Sequence, residues 1–242
     1  MSGLGTRTAS ASDVVTNEQS HYKHTVLDLC LVPRYAVLDA SLMLTLPKEI
    51  TAATGMDALT HAVEAYINRF CSKKAKKCAK EAVRLIFENL PVACHDGQNI
   101  HARENLLLGS YYAGIAIINA YVGYVHAIAH AVGGMYGITH GVANAVILPK
   151  VMAKYGAACE KELAELAAVI HLGGKNNKEK AERFLAAVTD MNKTLMMSET
   201  LGVVKEKDIP ELTRRAIKEA NPTYPVPAIW NEAEFKDILK QI

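Results

Sequence analysis

Three histidines fall within the sixteen residues from His126 to Gly141, "HAIAHAVGGMYGITHG", and every other residue there is apolar, Gly or Thr. His126 and His130 are four apart, so on a helix they project from one face. His140 follows ten residues after His130. The intervening "GGMYGIT" holds glycines that can break a helix and turn the chain back. Upstream, "GMDALTHAVEAY" sets Asp57 and His61 at i and i+4, again on one helix face. A carboxylate and an imidazole from one helix, with two or three imidazoles from another, form a first set of ligands for a divalent metal. Taken singly, each group has a plainer reading as a packed histidine or an ordinary Asp–His pair. Five such groups in two apolar segments would each need a separate buried partner, and one shared cation satisfies most of them at once.

The elements that carry these groups read as helices. Pro47 suits a first helical turn, and apolar residues recur at helical spacing from Lys48 to about Arg69. Helical patterning continues through "SKKAKKCAKEAVRLIFENL", "ARENLLLGSYYAGIAIINAY", the histidine segment, "GVANAVILPKVMAKYG", "EKELAELAAVIHL" and "EKAERFLAAVTDMNKTLMM". "DIPELTRRAIKEA" and "NEAEFKDILKQI" close the chain, with short Gly-, Asn- and Pro-bearing connections between the helices. The first residues differ. "DVVTN" and "YAVLDAS" are short β-branched runs flanked by turn formers, and they predict one or two strands or extended segments. The expected architecture is all-α, a helical bundle over residues 47–242 preceded by an extended stub over 1–46.

Composition sets looser limits. The chain has 242 residues, half of them hydrophobic, with a formal net charge of +2, so no global field points to nucleic acid or membrane. The basic run "KKAKK" at 73–77 has no interleaved aromatic platform and reads as a solvated helix face. No apolar run is long enough to span a bilayer, and "MSGLGTRTASASD" lacks the apolar core of a signal peptide. Five scattered cysteines without a CxxC pair favour reduced thiols in a cytoplasmic setting and are not expected to be ligands.

"TAATGMDALTHAVEAY" followed by "HAIAHAVGGMYGITHGVANAVILP" resembles the iron-containing (group III) alcohol dehydrogenases, from about residue 13 to the end. The resemblance rests on a DxxxH pair and an HxxxHxxxxxxxxxH run leading into "GVANA". It implies the helical metal-binding domain of the dehydroquinate synthase-like, iron-alcohol-dehydrogenase type. It further implies that Asp57, His61, His126 and His140 bind the metal, while His130 lies beside the metal and the nicotinamide as a proton carrier. The implied chemistry is hydride transfer between NAD or NADP and an alcohol bound as alkoxide, or the reverse with an aldehyde. Mixed imidazole and carboxylate ligation suits Fe(II), and Zn(II) also fits.

The resemblance is incomplete. Nothing in the chain resembles the Gly-rich phosphate-binding turn of the family's N-terminal α/β domain, so that domain is expected to be absent and the chain a truncated form. "GLGTRTASASDVVTN" resembles a junction stretch that touches the cofactor, although its acidic residue is out of place. Lys23 matches a lysine that reaches the cofactor's ribose and phosphates, and Leu46 an apolar residue near the nicotinamide. Tyr121, Tyr124 and Tyr136 are candidates to line a small or medium substrate pocket. A surface normally covered by a domain also favours a homodimer.

Three readings compete at this point. One is a metal-dependent alcohol dehydrogenase acting on a small alcohol or aldehyde. Another is a metal-binding helical module, or a half-enzyme needing a separate nucleotide-binding domain. The third, a metal hydrolase, lacks an extra carboxylate base, since Glu64 is expected on a different face from Asp57.

Overall fold

The computed structural model describes residues 12–17, 19, 23–31 and 33–242. The junction stretch before Ser12 lies outside them. Two strands, β1 (Ser12–Thr16) and β2 (Lys23–Leu27), pair antiparallel with Val14 opposite Thr25. Nine α-helices follow among the described residues: α1 (Lys48–Ile67), α2 (Lys73–His95), α3 (Ile100–Ile118), α4 (Tyr124–Tyr136), α5 (His140–Tyr155), α6 (Glu160–Val169), α7 (Asn177–Thr194), α8 (Ile209–Ala220) and α9 (Glu232–Gln241).

The helical expectation from Pro47 onward holds, and of the two runs read as strands or extended segments one enters a ladder. "DVVTN" supplies β1, whereas "YAVLDAS" forms no strand. Asp39 Oδ1 accepts the Ser41 amide at 2.9 Å and caps a short 3₁₀ turn over Ala40–Met43. That side chain offers the backbone an alternative to a ladder, and Tyr35 and Val37 are left 88% exposed. β1 takes its partner from "KHTVL" instead.

Helix α1 is the axis of the bundle. From Thr51 to Ile67 it is buried at every position except Thr54, and it packs on α2, α3 and α5. A helix buried all round is one whose polar residues must have partners inside the protein. Asp57, Thr60, His61 and Glu64 are the polar side chains it buries in its middle and last turns.

Side chains of the N-cap residues close four of the nine described helix starts. Ser72, Asn99, Asn176 and Asn231 each accept an amide in the first turn of α2, α3, α7 and α9, and Asn231 with Glu234 completes a capping box. Helix α4 begins at Gly123 with no such cap of its own. Its other end is closed by Gly137 in the left-handed conformation at φ 69°, so Gly133 and Gly134 continue the helix and Gly137 turns the chain.

The approach of α5 to α1 is set by one residue. A Cβ on Gly141 would stand 2.0 Å from the Ala53 carbonyl oxygen, a backbone atom that cannot swing aside. Gly141→Ala is therefore expected to force α5 away from α1 at a cost of about 3 kcal/mol, the upper end of ordinary overpacking. Thermal unfolding should show it as a midpoint lowered by roughly 6–12 °C. An unchanged midpoint would contradict the close approach.

Candidate metal centre

Asp57 and His61 come from α1, His126 and His130 from α4, and His140 from the first residue of α5. The structure brings three of these helix-borne groups into one knot. Asp57, His61 and His126 are buried, and each offers a ligand atom within 4.8 Å of the others. His140 completes the ring, its Nε2 lying 3.4 Å from Asp57 Oδ1, with His126 Nε2 3.6 Å from the same oxygen. The imidazoles of His61 and His126 stack at 4.5 Å. His140 is only half-buried, its side chain 30% exposed, and marks the side on which the knot opens.

The ionisation states suit a cation. Burial opposes a charge on Asp57, yet the imidazoles around it hold its carboxyl well below the usual carboxylate range. Burial pushes His61 down to about 4, against the pull of Asp57, so it presents a neutral ring. Burial also opposes a proton on His126, but hydrogen bonds to Asp57 and Glu64 outweigh it and raise the group to about 9.

Asn144, one turn after His140 on α5, also reaches the knot. Its amide nitrogen donates to Asp57 Oδ1 at 2.7 Å and lies 3.3 Å from His126 Nε2 and 3.1 Å from His140 Nε2. Among the described residues, His61 Nδ1, His140 Nδ1 and Asn144 Oδ1 are buried without a hydrogen-bond partner. One carboxylate and three convergent imidazoles are a donor set that fits a divalent ion.

Glu64 corrects the sequence reading. It was expected on a different face from Asp57, but seven residues are close to two full turns, and its carboxylate turns to the same site. The side chain, 1% exposed, accepts three N–H groups: His126 Nδ1 at 2.6 Å, Gly123 N at 2.9 Å and Val125 N at 2.7 Å. Glu64 is thus the missing cap of α4, donated by α1, and an anion at a helix N-terminus is favourably placed. By holding His126 Nδ1 it turns Nε2 toward Asp57. Gly123 leaves room for it, because a Cβ there would stand 2.8 Å from Glu64 Oε1.

Two further contacts bind the elements. Asn68, just past α1, directs its amide at the carbonyls of Ala120, Tyr121 and Val122, the turn that feeds α4. His130, one turn beyond His126, points Nδ1 at Glu219 Oε1 on α8 at 2.6 Å and stacks on His140 at 4.9 Å.

The other candidates separate. Lys23 opens β2 and lies over α4, its Nζ 3.4 Å from where a Cβ on Gly133 would stand. Burial lowers its pKa, against the charges of Asp57 and Glu219. Leu46 is half-buried, and its carbonyl is held by the buried Arg103 at 3.3 Å rather than by the ligand cluster. Tyr124 is core, packed with Tyr155, Trp230 and Phe235, while Tyr136 donates to Asp208 and Tyr121 is exposed. These tyrosines do not converge on the site. The basic run behaves as a helix face, with Ala75 and Ala79 buried beneath it. Among the described residues no helix is long and apolar enough to cross a membrane.

Comparison with known proteins identifies the family. Residues 51–242 match the sequence profile described as Fe-containing alcohol dehydrogenase family, C-terminal. The chain is 40% identical over 233 residues to 1,3-propanediol dehydrogenase of Klebsiella pneumoniae, covering 94% of this chain and 60% of that one. It is 36% identical over 242 residues to NAD-dependent methanol dehydrogenase of Bacillus methanolicus, covering 98% and 63%. A crystal structure of 1,3-propanediol oxidoreductase superposes with a TM-score of 0.91 at 38% identity, over 96% of this chain and 62% of that one. The chain thus spans about 60% of the length of the curated relatives it matches.

Proposed function

The chain belongs to the Fe-containing alcohol dehydrogenase family, and from that premise we propose that it is the metal-holding part of an alcohol dehydrogenase that works with NAD or NADP. The observation that carries the reading is the convergence of Asp57, His61 and His126 within 4.8 Å, with His140 at their open side. These four residues are the ligands in this reading. A divalent ion held there supplies the positive charge that acidifies an alcohol hydroxyl or polarises an aldehyde carbonyl. Fe(II) is the proposed ion, and Zn(II) suits the same donors.

The chain's own residues do the rest. Asp57 offsets the ion's charge, and Glu64 orients His126. His130 stands one helical turn away and takes up the proton that the alcohol gives off. Lys23 sets a cation at the rim, where a nucleotide's ribose and phosphates would pass, and Leu46 offers apolar surface near the nicotinamide. We place the division between the extended segment and the helical domain at 46/47, the chain in the cytoplasm, and its assembled form as a homodimer. Exposed Tyr35, Val37 and Leu42 favour that self-association.

A second reading has its own support. Among the described residues no Gly-rich turn joins a strand to a helix, and the chain spans about 60% of its relatives' length. In that reading the metal site is intact, and most phosphate contacts to the nucleotide come from a separate α/β unit.

Reduction of a short-chain aldehyde by NADH and by NADPH, after anaerobic loading with Fe(II), separates the two. The dehydrogenase reading predicts turnover that disappears in His126→Ala, together with a several-fold weaker nucleotide response in Lys23→Ala. One bound metal per chain with no turnover would contradict autonomous catalysis and favour the half-enzyme.

A further inference from the structure

His130 has a hydrogen-bonding arrangement of its own, distinct from that of the proposed ligands. Its Nδ1 lies 2.6 Å from Glu219 Oε1, and the same oxygen accepts the Tyr224 hydroxyl at 2.8 Å. The histidine and glutamate side chains are only 6% and 11% exposed. An ionised carboxylate oxygen accepts and cannot donate, so at this distance the proton stands on Nδ1 of the imidazole. A neutral ring so held keeps its lone pair on Nε2, at the opposite edge. The ring itself lies against the ligand knot, stacked on His140 at 4.9 Å and 20° and edge-on to His126 at 6.0 Å and 72°. Asp57 and Glu64 are engaged with the other imidazoles. Among the described residues Glu219 is the carboxylate that hydrogen-bonds His130.

We propose that Glu219, steadied by Tyr224, is a positioning residue that fixes His130 as the Nδ1–H tautomer, leaving Nε2 to accept the substrate's proton. This rests on the dehydrogenase reading for its function, though not for its geometry. In the alcohol-oxidising direction the O–H bond breaks and its proton passes to His130 Nε2. The carbon's hydride leaves with its electron pair to the oxidised nicotinamide, and the carbonyl double bond forms. An imidazole carrying its proton on Nε2 instead would be a donor where an acceptor is needed. Glu219 belongs to α8, so the proposal makes a helix that contributes no ligand part of the active site. It also explains why a carboxylate only 11% exposed sits there: burial of an acid is offset by hydrogen bonds, as here an imidazole N–H and a phenol both given to Oε1.

The test is the tautomer itself, read from long-range proton–nitrogen correlations of ¹⁵N-histidine-labelled protein in alkaline buffer. Both the metal-free chain and the chain loaded with diamagnetic Zn(II) would be recorded. Wild type and Tyr224→Phe, which keeps the carboxylate, are expected to show His130 as Nδ1–H. Glu219→Met, which removes the acceptor at similar length, is expected to move the proton to Nε2. A wild-type His130 that is Nε2–H or doubly protonated would overturn the proposal, even if Glu219→Met failed to fold. An unchanged tautomer in a folded Glu219→Met protein would overturn it equally. In turnover, Glu219→Met should lose kcat by roughly 10²-fold or more, the usual contribution of a general base, with metal content unchanged and KM for the alcohol little altered. If the tautomers behave as expected while wild type shows no turnover, the dehydrogenase reading fails and the role of Glu219 in orienting His130 stands.

Discussion

Replacing Asp57 with alanine is expected to abolish metal retention, from about one divalent ion per chain to a trace after gel filtration. Asp57 is the only carboxylate of the proposed ligand set, and its Oδ1 is the atom to which His126, His140 and Asn144 all point. Without it, three neutral imidazoles must hold a 2+ ion with no charge to offset it in a buried site. The loss should exceed the ~10–100-fold typical of removing a group that merely supports a ligand. The stability readout follows from linkage. An ion at about 1,000 times its Kd stabilises the folded chain by about 4 kcal/mol, or roughly 8–16 °C for a domain of this size. Wild type should show that rise on adding Fe(II) or Zn(II), and Asp57→Ala should show almost none. Asp57→Asn, which keeps an oxygen for the Asn144 amide, should fold normally and still bind poorly. A metal-dependent rise in Asp57→Ala equal to that of wild type would contradict the assigned role.

Glu64→Leu is expected to be the most damaging single change outside the ligands. It strips the acceptor from His126 Nδ1, Gly123 N and Val125 N together, all at a site where Glu64 is 1% exposed. Each buried donor left without a partner costs about 1–3 kcal/mol, so the three together approach the whole stability of an ordinary domain. Part of the loss is structural, because α4 has no other side-chain cap at its N-terminus. Glu64→Gln is the milder probe. It retains one acceptor oxygen but brings an N–H against at least one of the three donors. Denaturant unfolding should place it about 1–3 kcal/mol below wild type. Metal affinity should fall ~10–100-fold, as His126 loses the partner that aims its Nε2. A Glu64→Gln protein with wild-type stability and affinity would remove Glu64 from the site.

Much of this centre was legible in the sequence because its pairs are local. Asp57–His61 and His126–His130 each obey the i,i+4 spacing of one helix face, and the glycines after His130 foretold a turn that returns His140. Asn144 carried the same local signal, four residues after His140, but an asparagine in a helix is too common to stand out. Glu64 was visible and misjudged: the count from Asp57 is seven, nearly two turns, and its role became plain only when the uncapped start of α4 was seen against it. Glu219 had no local signal at all. It lies 89 residues from His130, and only the packing of α8 on α4 brings the two within 2.6 Å. The same limit explains β2, since a strand exists only when a partner aligns with it, and the more β-like run at Tyr35–Ser41 has a capping aspartate instead.

The central claim is that one divalent ion is held by a carboxylate and three imidazoles at the junction of α1, α4 and α5. Its most direct test is X-ray absorption on the chain loaded anaerobically with one equivalent of Fe(II). The account predicts retention of that equivalent, nitrogen and oxygen neighbours near 2.0–2.2 Å, and the outer-shell scattering of about three imidazole rings. An ion that washes off, or one retained with no imidazole scattering, would contradict it.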